Sequence, residues 1–263
     1  MNRKNRILLS ELTKTDFKLR YQGSILGYLW AIIRPLLMFG ILYIVFAKFL
    51  RFGTDIPHYP IYLLVGTVLW NFFTECTNQG IQSLIIRSDL MRKISFDRWV
   101  IVLSATTTAL INLGINLIVV VLFALLSGVT PSLTWLVVPF LIAELYLLAF
   151  GIALLLGSIN VKYRDIGSIW EVLIQALFYA IPIIYPLSMV MAYNMTAAKL
   201  LMLNPIAQVI QDVRFCLITN ETTTGWELLP CPGKALPIVI VLIILFVGVL
   251  VFKKKSKYFA EEI

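Results

Sequence analysis

The sequence predicts an all-α integral membrane protein with six transmembrane helices. Hydrophobic residues make up 60% of the 263 residues, charged residues make up only 14%, and the mean hydropathy is +0.89. Soluble domains are about 45–50% apolar and about 25% charged, so this composition excludes a soluble enzyme and a disordered chain. The apolar residues fall in stretches long enough for a helix to cross a bilayer. These stretches cover about residues 26–50, 61–86, 100–127, 133–158, 169–192 and 236–252.

The segment before the first span, residues 1–25, predicts an amphipathic helix in the cytoplasmic membrane interface. Leu8, Leu12 and Leu19 fall on one helical stripe, and most of the basic residues fall elsewhere. Apolar contact and attraction to anionic lipid hold such a helix in the interface. A basic tail that simply follows the positive-inside rule is the alternative.

The distribution of charge orients the transmembrane domain, residues 26–252. Most of the 22 Lys and Arg residues lie in residues 1–25, the 87–99 and 159–168 loops and the tail, residues 253–263. Cytoplasmic loops carry such an excess, so both termini are expected in the cytoplasm. The net charge of +8 therefore reflects membrane topology and does not call for a nucleic-acid partner.

The connection between the fifth and sixth spans, about residues 193–235, is the only long outer segment. Asn204-Pro205 divides it, because proline disfavours a helical residue before it. The pieces 196–203 and 206–218 are too short to cross a bilayer, so re-entrant or surface helices are expected. Cys216 and Cys231 lie in this segment, and spacing alone leaves open whether they pair.

Two spans carry polar stripes. The second span has seven polar side chains on one helical face, and the third has four at intervals of four residues. Polar groups cannot face hydrocarbon cheaply, so both stripes must meet protein or water. They predict either a hydrated path for a polar cargo or hydrogen bonds between the two helices. The residues are Asn71, Thr74, Glu75, Asn78, Gln79, Gln82 and Ser83, and Ser104, Thr108, Asn112 and Asn116.

Aromatic residues are frequent within the spans. Tyr43, Phe178 and Tyr179 could stack on the apolar faces of sugar rings, or simply pack against neighbouring helices. Three tryptophans, Trp30, Trp70 and Trp99, are expected in the aromatic belts at the membrane surfaces.

A buried ion pair is predicted between Arg34 and Glu75. From the helical rise, Arg34 lies roughly 13 Å and Glu75 roughly 15 Å from the cytoplasmic face, on consecutive helices. A carboxylate at the same depth offsets much of the cost of an intramembrane arginine. Glu144 is a deeper rival partner, and Arg34 could instead extend to the headgroups.

Motifs for nucleotide hydrolysis, metal binding and covalent catalysis are absent from the sequence. Gly233-Lys234 imitates a phosphate-binding loop, but Leu228 replaces its first glycine and Ala235 its Ser or Thr. There is one histidine, and the three cysteines lack C-x-x-C spacing. The sequence thus predicts a non-enzyme without a cofactor or metal, in which any energised work depends on another chain.

Three motifs resemble those of the permeases of ABC-type polysaccharide exporters. Residues 17–30 read FKLRYQGSILGYLW and are followed by PLLM at 35–38, which resembles the signature at the first helix of that family. KYRDI at 162–166, and LNPI at 203–206 with Arg214, fit the same family. The resemblance covers essentially the whole chain. Arg34 departs from the pattern, because a small or amide residue is expected before Pro35.

The resemblance implies a half-transporter in a bacterial inner membrane. Two copies would pair with two copies of a separate ATPase subunit, which would bind ATP and Mg. The implied cargo is a glycan on a polyprenyl diphosphate, such as teichoic acid, O-antigen, or capsular or rhamnose-rich polysaccharide, moved outward from the inner leaflet. Lys18, Arg20 and Tyr21 would meet the diphosphate, since arginine offers phosphate two donors. The positive-inside rule alone could also account for these residues.

The remaining site residues divide into cargo-binding and coupling sets. The glycan would meet polar and aromatic side chains, namely Asn71, Thr74, Glu75, Asn78, Gln82, Tyr43, Phe178 and Tyr179. The 87–99 loop predicts a short helix whose apolar face docks on the ATPase subunit. The coupling residues are Leu90, Met91, Arg92 and Phe96, with Arg164 and Asp165 in the next cytoplasmic loop.

Three other functions are compatible with parts of the sequence. A type-2 ABC exporter of a drug or lipid would share the fold, but it predicts a more apolar second span. A polyprenyl-dependent membrane transferase needs clustered acidic or histidine residues, whereas Asp89, Asp97 and Asp165 are scattered. A structural scaffold would not need polar stripes inside the membrane.

Overall fold

A computed structural model describes residues 3–51, 56–231 and 233–259, with the side chain of Tyr21 outside what it describes. Residues 260–263 of the predicted tail therefore lie outside the described residues. Helices account for all the regular structure within these ranges. The α-helices are α1 (Arg3–Tyr21), α2 (Trp30–Leu42), α3 (Tyr59–Ile86), α4 (Ser88–Lys93), α5 (Trp99–Leu126), α6 (Val138–Asn160), α7 (Asp165–Ala180), α8 (Leu187–Tyr193), α9 (Met195–Met202), α10 (Pro205–Leu217), α11 (Gly225–Leu228) and α12 (Leu236–Lys255).

Among the described residues, four helices are long and apolar enough to cross a membrane. They coincide with the predicted first, third, fourth and sixth spans. In three of them a short 3₁₀ turn extends the α-helix at its start, and α2 continues into a π-helical segment, Tyr43–Phe49. The four are Gly27–Phe49, Trp99–Leu126, Leu133–Asn160 and Gly233–Lys255.

The predicted second and fifth spans differ from these four. Helix α3 has 28 residues, but its polar stripe makes it less apolar. The predicted 169–192 span is two helices, because α7 ends at Ala180 and α8 begins only at Leu187. Pro182 cannot donate a backbone hydrogen bond, and Ile181 is already extended. The sequence favours only a kink at the proline pair, Pro182 and Pro186, whereas the structure has a complete break between α7 and α8.

Helix α6 lies at the centre of the bundle, where it packs against α3, α10 and α12. Glycines allow two of these contacts. A Cβ on Gly248 would lie 2.4 Å from the carbonyl oxygen of Gly151, and one on Gly80 would lie 2.4 Å from the Cβ of Ala153. Small residues let helix backbones approach closely and gain van der Waals contact. The α6–α12 and α3–α6 crossings thus depend on the absence of side chains.

Helix α1 forms over the predicted segment and packs along α5. Its inner face includes Leu12, which is buried, and Leu8, which is half-buried, whereas Leu19 on the predicted stripe is 61% exposed. Near its start Asn5 donates to Asp97, just before α5, and near its end Asp16 accepts from Arg87. These contacts fix α1 to the rest of the protein.

Helices α9 and α10 lie where the outer segment predicts two short helices. The Asn204 side chain accepts from the amide of Ile206 at 3.0 Å, and Pro205 occupies the first helical position. This is a normal N-cap arrangement. Helix α10 is buried along nearly its whole length, among α3, α6 and α12. It therefore lies inside the bundle, although it is only 13 residues long.

The three cysteines are free thiols. Cys76 and Cys216 are buried, and Cys231 is exposed. The pairing of Cys216 with Cys231, left open by the sequence, is not formed.

Candidate functional site

A cavity of about 990 Å³ lies between α2, α3 and α5 and receives the end of α1. One wall is the polar stripe of α3 and another is the amide-bearing face of α5. The side of α2 that faces the cavity is largely apolar and carries Arg34. The polar and charged residues of the lining are Arg20, Ser24, Arg34, Asn71, Thr74, Glu75, Asn78, Gln79, Asn112 and Asn116.

Glu75 is the most heavily bonded side chain of this cavity. Its Oε1 forms a salt bridge with Arg20 and accepts from Asn112 Nδ2 at 2.6 Å and Gln79 Nε2 at 3.2 Å. The side chains of Arg20 and Glu75 are 29% and 21% exposed, so the pair is partly shielded from water. Charge-assisted bonds of this kind are stronger than those between neutral groups.

The predicted pair of Arg34 with Glu75 is wrong in its basic partner. Arg34 lines the same cavity but is exposed, and the salt bridge of Glu75 is formed with Arg20 instead. The depth argument placed Glu75 correctly beside the first span. Depth along the spans could not predict Arg20 as the partner, because α1 was expected outside the bundle. In the structure the last turn of α1 reaches the middle of α3.

The two polar stripes contact each other and also line the cavity, so the predicted hydrogen bonds between the helices are observed and a path for a polar cargo stays a prediction. Asn112 of α5 bonds to Glu75, and Asn116 donates to the carbonyl oxygen of Ala31 in α2 at 3.2 Å. Toward the start of α5, Ser104 and Thr108 bond only to carbonyls of their own helix. The Thr74 hydroxyl is buried at the wall and has no hydrogen-bond partner among the described residues.

Five of the predicted cargo residues meet in this cavity, namely Arg20, Asn71, Thr74, Glu75 and Asn78. Lys18 is exposed on α1 outside the lining, and the side chain of Tyr21 lies outside the described residues. Apart from Ser24, four polar cavity residues were missing from the predicted cargo set: Arg34, Gln79, Asn112 and Asn116. The sequence could have indicated them, because Gln79, Asn112 and Asn116 lie on the two polar stripes and Arg34 lies beside Pro35.

Gln82 and the predicted aromatic residues lie away from the cavity. Gln82 packs beside Gly167 at the start of α7. Phe178 packs on Trp70 with ring centroids 5.9 Å apart, and Tyr179, at 69% exposure, meets Phe178 edge to face. Tyr43 stacks on Phe39 of its own helix. For Phe178 and Tyr43 the packing alternative is therefore the one observed.

The predicted belt position is wrong for Trp70. This side chain is 5% exposed and lies between α3 and α7, where it contacts Phe73 and Phe178. Trp30, at 40% exposure, lines the cavity, and Trp99 packs on the core cluster that contains Leu84 and Phe252. A tryptophan within a span can therefore pack between helices instead of lying at the membrane surface.

The 87–99 loop forms the predicted short helix, α4. Met91, however, is 7% exposed and packs into a cluster with Leu84, Val161 and Phe252. The prediction that Met91 docks on a partner is therefore corrected, because its side chain is part of this chain's own core. Phe96 is half-buried against the same cluster.

The other predicted coupling residues are accessible. Leu90 is half-exposed and Arg92 is exposed. In the 159–168 loop Arg164 and Asp165 are exposed, at the start of α7. Val161 and Met91 share one cluster, so the two loops are held side by side.

Arg214 of α10 is a buried residue whose importance the motif alone could not explain. It is fully buried and donates to the carbonyl oxygens of Tyr62, Pro182 and Ile183 at 3.0, 2.7 and 2.6 Å. Its guanidinium also lies 3.5 Å from the centroid of the Tyr62 ring. The carbonyls at the break after α7 lack helical donors, and Arg214 satisfies two of them. It thereby joins α10 to both α3 and the break.

Comparisons with known proteins give one consistent family. The family model described as ABC-2 type transporter matches residues 8–217. The chain is similar to the O-antigen export system permease protein RfbA of Myxococcus xanthus, with 30% identity over 258 residues, which is 97% of this chain and 95% of that protein. It is similar to the RfbA protein of Klebsiella pneumoniae, with 29% identity over 259 residues, which is 97% of this chain and 94% of that protein.

Proposed function

This chain belongs to the ABC-2 type transporter family, and we propose that its cargo is a glycan attached to a polyprenyl diphosphate lipid. It is a transporter permease rather than an enzyme, the membrane half of an ABC exporter of polysaccharide. ATP is used by a separate partner subunit. The cavity between α2, α3 and α5 is the observation that carries the proposal, since it combines many amides with two arginines.

The cavity chemistry suits a glycan. Asn71, Asn78 and Gln79 offer both donors and acceptors, which matches the hydroxyl groups of sugars. The apolar wall on α2 can meet the C–H faces of sugar rings or a lipid chain. A drug or lipid exporter has no use for so many amides at this position.

Arg34 and Arg20 are the proposed ligands of the diphosphate. Arg34 has no carboxylate partner among the described residues and lies in the cavity. Arg20 is held by Glu75, so a diphosphate would meet a guanidinium that is already oriented. Lys18 and Tyr21 would contribute at the cytoplasmic entrance. Arginine matches phosphate oxygens with two parallel donors.

The proposed membrane arrangement has six spans with both termini in the cytoplasm of a bacterial inner membrane. Helix α3 and the broken α7–α8 pair add two crossings to the four apolar helices. The basic clusters in α1, the loop at α4, the 159–168 loop and the tail then share one side. Helices α9 and α10 become the re-entrant outer segment.

The proposed assembly contains two copies of this chain and two ATPase subunits, which bind ATP and Mg. Large apolar faces on α2 and α12 support contacts with lipid or with a second copy, since Ile41, Ile44 and Phe246 are more than half exposed. The exposed Arg92, Arg164 and Asp165 support contact with the ATPase subunit.

The cargo proposal is tested in cells that lack this chain and carry plasmid-borne variants. Without the permease, the glycan should accumulate inside and extract with organic solvent while still attached to its lipid. Accumulated glycan that is water-soluble and free of lipid would contradict the lipid-linked cargo and leave polysaccharide export intact.

The role of the cavity is tested by substitutions that keep side-chain size. Asn71→Leu combined with Asn78→Leu should reduce surface glycan about tenfold or more, because the sugar hydroxyls lose their partners. Gln82→Met is the matched control, since Gln82 is a polar residue of the same helix outside the cavity. Equal export by both variants at equal protein levels would contradict a cargo site in this cavity.

A further inference from the structure

A second pocket, of about 450 Å³, opens at the end of the protein that carries α4. One wall is formed by the end of α4 and the loop that follows it. The opposite wall is formed by the chain just after α12. The lining residues are Met91, Arg92, Lys93, Ile94, Ser95, Phe96, Asp97, Arg98, Ser256 and Lys257.

The pocket is basic. Arg92, Lys93, Arg98 and Lys257 contribute positive charge, whereas Asp97 is the one acidic residue among the described residues of the lining and accepts from the side chain of Asn5. Apolar side chains add to the lining, and Ile94 among them is 53% exposed. Exposed apolar side chains beside arginine, with polar groups at the rim, are typical of a protein interface.

The tail is held against this pocket by a buried side chain of its own, Phe259. Helix α12 ends at Lys255, and a turn follows in which the amide of Tyr258 donates to the carbonyl of Lys255 at 2.9 Å. Phe259 is then fully buried, edge to face on Phe252 with ring centroids 5.4 Å apart. Lys257 therefore lies between two anchored phenylalanines.

The anchor of the tail is also the support of α4. Phe259 and Met91 belong to the same core cluster, together with residues from α3, α5 and α6, such as Leu84, Ile101 and Leu154. A force on the pocket would reach these helices through packed side chains rather than through a loose loop. This is what a surface that couples a partner to the transmembrane bundle requires.

We propose that the tail forms one wall of the ATPase-binding surface and that the basic pocket receives an acidic segment of the ATPase subunit. This inference rests on the proposed function, because it takes the ATPase subunit as the partner. Lys257 contributes charge to the pocket. Phe259 is a positioning residue, because its packing fixes the position of Lys257 relative to α4.

The test uses the full chain in detergent with its co-expressed ATPase subunit, and measures the dissociation constant between them at several salt concentrations. Lys257→Glu should weaken binding about tenfold at low salt, with a smaller difference at high salt, because salt screens exposed charges. Lys254→Glu is the matched control, since it makes the same charge change three residues earlier, outside the pocket. Equal binding by the two variants would overturn the inference.

Phe259 provides a second, independent variant. Phe259→Ser should weaken binding as Lys257→Glu does and lower the ATP hydrolysed in response to the permease, while Phe259→Leu should restore both. A loss in Phe259→Ser that is confined to thermal stability would overturn the positioning role.

Two further outcomes separate the alternatives. If Lys257→Glu weakens binding to vesicles of anionic lipid and leaves the ATPase complex unchanged, the pocket binds headgroups and the inference is wrong. If wild-type chain binds no ATPase subunit at all, the proposed function fails and this inference fails with it.

Discussion

Arg20, in the last turn of α1, forms a salt bridge with Glu75, which lies 55 residues further along the chain in the middle of α3. The same carboxylate oxygen accepts from Asn112 of α5. One side chain thus joins three helices at the wall of the cavity. A ligand that withdraws Arg20 from Glu75 would change how α1 is held against the bundle.

This pair can be tested by exchanging its charges. Arg20→Glu and Glu75→Arg should each destabilise the protein by about 1 kcal/mol, the upper end for partly exposed pairs. The double exchange should recover part of that loss. Thermal unfolding in detergent gives the coupling energy through a double-mutant cycle. Arg34→Leu should show no coupling to Glu75→Leu; a coupling as large as that of Arg20 would restore the pair predicted from the sequence.

Gly66 should be intolerant of any side chain, because it makes room for Arg214. A Cβ at this position would lie 2.2 Å from Nη2 of Arg214. Gly66→Ala should therefore displace the guanidinium from its carbonyls and destabilise the protein by several kcal/mol, as Arg214→Met would. Gly114→Ala in α5 has open space around it and serves as the control. Equal melting temperatures for the two alanine variants would contradict this account of Gly66.

The crossing of α6 and α12 should depend on Gly248. Its Cβ would meet the backbone of Gly151, which cannot move aside as a flexible side chain would. Gly248→Ala should force the two helices apart and lower the yield of folded protein in size-exclusion chromatography by severalfold. Gly40→Ala, in α2, meets no atom within 4 Å and should leave the yield unchanged.

Charge placed on α4 and on the adjoining loop should have two different effects. Met91→Asp puts a carboxylate into a core cluster, which costs several kcal/mol and should remove the protein from the membrane. Ile94→Asp alters an exposed side chain and should leave the protein abundant but weaken its binding to the ATPase subunit. Immunoblots of membranes and copurification separate the two. Normal abundance of the Met91 variant would show that this residue faces a partner after all.

The natural cysteines report the topology. Cys231 is exposed between α11 and α12, and Cys76 and Cys216 are buried. A membrane-impermeant maleimide added outside spheroplasts should label the wild type at Cys231 and leave Cys231→Ser unlabelled. A Ser256→Cys variant in the Cys231→Ser background should react only after lysis. Labelling of Cys231 only after lysis would reverse the proposed orientation.

The sequence predicted elements whose signals are local. Asn204 and Pro205 marked the start of α10, and the proline pair marked the end of α7, because caps and missing donors act within a few residues. The polar stripe of α3 predicted the cavity wall, since a helical face is set by its own periodicity.

Contacts between distant segments could not be read in the same way. The partner of Glu75 depends on how α1 packs along α5. The spacing of apolar residues in α1 does not show which helix α1 packs against. Helix α4 has six residues, too few to show by periodicity that Met91 faces inward. Trp70 is equally consistent with a membrane surface and a helix contact until α7 is placed beside it.

The position of Arg214 also constrains how the chain is made. All three carbonyls that it binds belong to residues synthesised earlier, at 62, 182 and 183. An arginine left alone among hydrocarbon chains is expensive, so α10 has no stable place until α3 and the break after α7 already lie together. We therefore expect α10 to dock after α3 and the break after α7 have associated. A nascent chain whose earlier helices have failed to associate would present an unsatisfied guanidinium, a defect that membrane quality control can recognise before the last helix is inserted.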